Sequence, residues 1–181
     1  MAFVVENFEN ADVRRLFSLF GVRYVATRWA WLSPVMMLVV GGVVTYASAG
    51  EESAGVQAMR AAVLGVLLLL GMVCHGAGHV ISSRYIGAPM HSLILTATVP
   101  VTHFEDHRPQ PRRVHVVRTL GGPMANLALA VASFVAWRLG AGMPIAFFGI
   151  VNASIGLFTL LPLRTLDGAV LWLGAGGLDE G

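Results

Sequence analysis

The chain has 181 residues, 56% of them hydrophobic and only 12% charged, with a formal net charge of +2. A water-soluble domain carries about a quarter charged residues, so lipid is the natural solvent for such a surface. The small net charge rests on Arg alone, with no Lys, and argues against a nucleic-acid partner.

The first 28 residues hold Glu6, Glu9, Asp12 and four Arg with no uninterrupted apolar core, so no cleavable signal peptide is expected there. Within them, Val13, Leu16, Phe17 and Phe20 recur at helical spacing, while Arg14, Arg15 and Arg23 lie elsewhere on the wheel. That pattern predicts a short helix over residues 12–27 lying in the membrane interface. Residues 1–28 are therefore read as an N-terminal interfacial segment and 29–181 as the membrane domain.

Trp29 to Ala49 is the first predicted span, 21 residues without a charge. At 1.5 Å per residue it reaches about 31 Å, enough for a hydrocarbon core, and Arg28, Trp29 and Trp31 anchor its start. A polar connection over 50–60 leads to a second span, Ala61 to Ser83, which carries His75 and His79 near its end. Residues 84–118 are polar and rich in Arg, but Leu95 to Val99 alternates at period two and predicts a small hairpin-like strand element. Thr119 to Trp137 is the third span, opened by Gly121-Gly122-Pro123, and Gly142 to Leu163 is the fourth. The fold class expected is an all-α polytopic membrane protein with about four transmembrane helices and a small β element. The loop over 84–118 has five Arg against Glu105 and Asp106, so the positive-inside rule puts that loop, the β element and both termini on the cytoplasmic side.

His75 and His79 stand four residues apart, so on a helix their imidazoles leave nearly one face, as metal capture from a single helix requires. Asp167 is the leading third ligand, because a carboxylate at the end of an apolar span needs a cationic partner. Two imidazoles and a carboxylate make a tetrahedral zinc site with one open position. The competing reading is a metal-free cluster of hydrogen-bonded polar groups. His91, His103, His107 and His115 lie in the polar loop, where surface hydrogen bonding is the default; His103 or His107 reaching the open zinc position is the sharper alternative. Cys74 is the single cysteine, which excludes an intramolecular disulfide, and it is read as a small packing residue.

Three motifs, in order, resemble those of the site-2 protease family of intramembrane zinc metalloproteases. His75-Gly76-Ala77-Gly78-His79, followed by Arg84 and Gly87, is similar to that family's HExxH helix. Gly122-Pro123-Met124-Ala125-Asn126 is similar to its glycine-proline-asparagine stretch, and Leu161-Pro162-Leu163-Arg164-Thr165-Leu166-Asp167-Gly168 to its Leu-Asp-Gly metal motif. The resemblance covers about residues 61–173 and implies zinc held by His75, His79 and Asp167, with Gly122, Pro123 and Asn126 beside substrate or partner.

Two positions depart from the pattern. The family's glutamate, which moves the proton of the zinc water, is replaced by Gly76, and its substrate-holding asparagine by Thr159. A positioned general base contributes about 10²- to 10⁴-fold in rate, so ordinary proteolysis is not expected and no residue is assigned as catalytic. The expectation is a pseudoprotease, a scaffold or accessory subunit working among membrane lipid and other membrane protein subunits, with zinc retained. Two alternatives stand beside it: an active zinc metalloprotease with an unusual base, and a pigment- or haem-associated subunit of an energy-converting complex. Substitution of the base by Glu105 or Asp106 is the weaker form of the first, since such a pair is more often a solvated loop charge.

Overall fold

In the computed structural model, which describes residues 13–48, 53–106, 109–163 and 166–172, the chain enters through a hairpin where helical spacing predicts a helix. Strand β1 (Val13–Leu19) pairs antiparallel with β2 (Val22–Thr27). The turn between them is Phe20-Gly21, both with positive φ (49° and 65°), the two-residue geometry whose twist matches paired strands. The ladder slips between Arg15 and Phe17, leaving Leu16 as a bulge. The bulge interrupts the strand's period-two alternation, so Val13 and Phe17, four residues apart as on a helix face, lie on opposite faces of the ladder. Residues 12–27 are thus not an interfacial helix; the described part of that segment is strand.

After the hairpin come α1 (Leu32–Ser48) and α2 (Ala54–Tyr85), then β3 (Ser92–Leu95) and β4 (Val101–His103). A hairpin is present in the predicted loop, but the alternating stretch Leu95 to Val99 is mostly the connection between β3 and β4, and the hairpin is half of a larger sheet. The order is β1-β2-β3-β4, with β3 antiparallel to β4 and parallel to β2, Arg23 opposite Ser92 and Ala26 opposite Leu95. A parallel pair needs a long crossover, and α1 and α2 supply it. The sheet is nailed to the end of α2 by a small core of Val22, Val80, Met90 and Leu93, with Tyr24, Leu95 and Phe104 packed around it. Val80 follows His79 directly, so the sheet roofs the histidine end of the helix.

The remaining elements are α3 (Arg112–Arg138), α4 (Met143–Thr159) and the short α5 (Gly168–Trp172). Helices α2 and α3, of 32 and 27 residues, are long and apolar enough to cross a membrane. Most of the apolar window of each faces outward rather than into the protein, unlike the core helix of a soluble domain. The first and fourth predicted spans are apolar helices of 17 residues, reaching about 26 Å. Helix α3 starts at Arg112, seven residues before the span predicted at Thr119, so His115 and Arg118 are helical and not part of a loop.

The close approach of α2 to α3 depends on glycine. A Cβ on Gly78 would overlap the carbonyl oxygen of Gly121, and one on Gly121 would stand 2.5 Å from the carbonyl oxygen of Gly78. In an apolar solvent, where hydrophobic burial cannot hold helices together, such backbone proximity sets the packing. It also sets how near the α2 histidines come to α3.

Candidate metal centre

The i, i+4 spacing on α2 carries His75 and His79 to one face, their rings 4.8 Å apart between centroids. The carboxylate arrives from the turn between α4 and α5. Gly168 lies against the carbonyls of Leu160 and Leu161, where any side chain would overlap backbone, and this presses the neighbouring Asp167 inward. Trp172 closes the turn by donating its indole N–H to the Leu160 carbonyl at 3.0 Å. Asp167 Oδ2 then stands 2.9 Å from His75 Nε2, and Oδ1 3.3 Å from His79 Nε2. The two Nε2 atoms are 3.1 Å from each other.

The far side of each ring decides what those nitrogens present. His79 Nδ1 lies 2.8 Å from the Arg118 carbonyl, which can only accept, so Nδ1 carries the proton. For His75 the assignment runs through a chain of amides. The Phe148 carbonyl accepts from Asn152 Nδ2 at 2.8 Å, leaving Asn152 Oδ1 to accept from Asn126 Nδ2 at 2.8 Å. Asn126 Nδ2 also donates to the Gly71 carbonyl at 3.1 Å, so its Oδ1 is turned to accept from His75 Nδ1 at 2.9 Å. Both asparagines are fully buried, and each polar contact in the chain has one consistent direction.

With Nδ1 of each ring donating outward, both Nε2 atoms face each other and the Asp167 carboxylate. Such a cluster needs a cation among its acceptors, either a proton that Nε2 donates to the Asp167 carboxylate or a metal ion. Bonds of about 2.0–2.1 Å at tetrahedral angles put ligand atoms about 3.3 Å apart, close to the separations here. Each histidine also has the outer partner that metal-bound imidazoles require. The donor set fits zinc.

Gly122 completes the cradle: a Cβ on it would stand 2.5 Å from Nε2 of both histidines. Above them opens a cavity of about 450 Å³, walled by Leu93, Val99 to Thr102 of the hairpin and Thr159, among others. Gly76 lies on the wall beside the histidines, and a Cβ there would meet only Leu93 Cδ2, at 3.5 Å. Asp167 is the one carboxylate in the described lining.

The other residues singled out by sequence are distributed as follows. Thr159 is on the cavity wall, with its hydroxyl bonded back to the carbonyls of Ile155 and Gly156. Asn126 sits behind His75, outside the cavity, and Pro123 is buried in α3. Glu105 is engaged at 2.8 Å by His91 Nε2, a close contact off the N–H direction rather than a hydrogen bond, and at 3.6 Å by Arg23. Asp106 is engaged by Arg118. Both acids line a second, polar cavity of about 440 Å³ and not the one over the histidines. His103 lies against Ser92 in the sheet, at 3.3 Å, and Cys74 is half-buried. His107, Arg164 and Thr165 fall outside the described residues. Three positions at or behind the site were not singled out from sequence: Asn152, and Arg118 and His115 on the cavity wall. Asn152 left a signal, a lone amide in an apolar helix.

No family model matches the chain, and no curated protein matches it. Among solved structures, the Site-2 Protease from Methanocaldococcus jannaschii is similar over 93% of this chain and 74% of that chain, with a TM-score of 0.63 and 18% sequence identity. The chain has a site-2-protease-like fold.

Proposed function

We propose that this chain is a divergent site-2-protease-like protein of multi-pass membrane topology that retains zinc and does not hydrolyse peptides. It serves as a scaffold or accessory subunit of a membrane assembly. Four spans with both termini cytoplasmic follow from the charge distribution and from the two shorter apolar helices. His75 Nε2, His79 Nε2 and an Asp167 oxygen would hold the metal, which would supply a Lewis acid.

The observation that carries this reading is Gly76 beside intact ligands. Among the described residues, no carboxylate besides the would-be ligand Asp167 lines the cavity, and the asparagine chain behind the His75 ring is fully bonded. Pairing of Glu105 and Asp106 elsewhere favours the same conclusion. The convergence of two Nε2 atoms to 3.1 Å suits one small ion better than the face of a planar pigment. Partner binding is supported by the sheet, whose order ends at β4, beside the cavity: an extended segment of another membrane subunit can add there as a strand.

Zinc analysis of the purified chain, with a transmembrane-substrate cleavage assay, tests the proposal. About one zinc per chain and no cleavage are expected. Turnover that disappears in His75→Ala would instead make it an enzyme. That second reading has one observation in its favour, His115 on the cavity wall as an alternative base. Loss of turnover in His115→Gln would identify it.

A further inference from the structure

We infer that Arg118 is a positioning residue for the candidate metal centre, acting on His79 through its own backbone carbonyl. The side chain is 4% exposed, a costly location for a guanidinium unless every N–H is matched. Its partners are well matched. Nη1 and Nη2 make a two-pronged contact with the Asp106 carboxylate at 2.6 and 2.8 Å, and Nε donates to the Ala88 carbonyl at 2.8 Å. The guanidinium carbon lies 4.2 Å over the Phe104 ring. Ala88 belongs to the segment between α2 and β3, while Phe104 and Asp106 directly follow β4. One side chain on α3 therefore clamps both ends of the β3–β4 hairpin.

The same residue's carbonyl points the other way, accepting from His79 Nδ1 at 2.8 Å and from Ser82 Oγ at 3.2 Å. Rotation or sliding of that turn of α3 would break the bond that fixes the ring of His79 and its tautomer. A well-packed apolar residue would fill the space without the cost of burying charge. What the Asp106–Arg118 pair adds is a directional lock between the sheet roof and the carbonyl behind a ligand. Outer partners of metal-bound histidines typically change affinity by about 10- to 100-fold, and the pair acts one bond further out. The consequence for metal affinity rests on the zinc reading; the hold on His79 does not.

The test uses the full chain in detergent micelles, labelled with 15N-histidine and stripped of metal by chelator. In the wild type His79 should show a slowly exchanging Nδ1–H resonance. Asp106→Asn and Arg118→Met should lose it to solvent exchange, and Arg118→Lys, which keeps the charge and one contact, should recover part of the protection. Zinc affinity, measured by competition, should fall about tenfold or more in the two disruptive variants, and their double variant should fall no further. If both variants still unfold cooperatively and keep the protected Nδ1–H, the inference is overturned; Asp106→Asn keeps that outcome readable should Arg118→Met not fold. A wild type that binds no zinc, with the Nδ1–H protected as described, sustains the role of Arg118 and overturns the metal reading alone.

Discussion

A methyl group on Gly122 would stand 2.5 Å from the Nε2 of His79, in the space from which a cation must approach that nitrogen. The same methyl would be 2.5 Å from His75 Nε2. Gly122 is therefore the floor of the centre as well as part of a helix contact. Gly122→Ala should abolish zinc binding by pushing both rings apart. The helix propensity gained, about 1 kcal/mol, is offset by overpacking that costs about 1–3 kcal/mol, so the variant should be no more stable than the parent. Metal content and thermal unfolding measured together check this. A variant that keeps stoichiometric zinc would place the metal elsewhere.

Asn152 reaches the centre through two bonds, by way of Asn126 and His75. Asn152→Ala leaves one Asn126 N–H without that acceptor in a site where both residues are fully buried. The expected loss is about 1–3 kcal/mol of stability, accompanied by weaker zinc binding, because Asn126 is then free to turn its amide. Denaturant unfolding in detergent and a zinc titration measure the two effects. Lost stability with unaltered zinc affinity would reduce the amide chain to a packing feature.

The clustering of His75, His79 and Asp167 was legible because each motif is local. A step of four residues on α2 decides that His75 and His79 share a face, and Leu166-Asp167-Gly168 are consecutive, at the start of α5. The sheet was not. Its central pairing, β2 on β3, joins residues nearly seventy positions apart, and the bulge at Leu16 breaks the alternation by which β1 would read as a strand. Arg118 was misplaced for a related reason: counting charges assigned it to a loop, whereas α3 begins at Arg112 and buries the Arg118 side chain against Asp106. A charge that is paired in three dimensions looks solvated in one.

Two glycines of similar sequence context should respond oppositely to Ala. At Gly78 the added Cβ would overlap the Gly121 carbonyl and lie 2.7 Å from Ala125 Cβ, so α2 and α3 must separate. Overpacking of this kind costs about 1–3 kcal/mol, and the separation also stretches the His79–Arg118 bond. At Gly42 of α1 nothing lies within 4 Å, and Gly42→Ala should be neutral or stabilising by up to about 1 kcal/mol. Unfolding of the two variants under one detergent condition compares them. Equal effects would mean that the α2–α3 contact is looser than its geometry.

Gly76→Glu asks whether the cavity is an active site that lacks one group. The position tolerates a side chain, since its Cβ would meet only Leu93 Cδ2 at ordinary contact distance, 3.5 Å. Glu is a better helix former than Gly, so the variant should fold at least as well as the parent. Its carboxylate would enter the cavity beside the histidines and provide the proton acceptor absent from the parent, a contribution of about 10²- to 10⁴-fold when well placed. The expected outcome is cleavage of a transmembrane substrate by Gly76→Glu and none by Gly76→Glu/His75→Ala. Thr159 limits the gain: its hydroxyl is bonded to the carbonyls of its own helix and offers substrate little. Adding Thr159→Asn should therefore raise turnover again. A folded, zinc-loaded Gly76→Glu/Thr159→Asn protein with no cleavage would show that the cavity has departed from proteolysis in its shape, and not in two side chains alone.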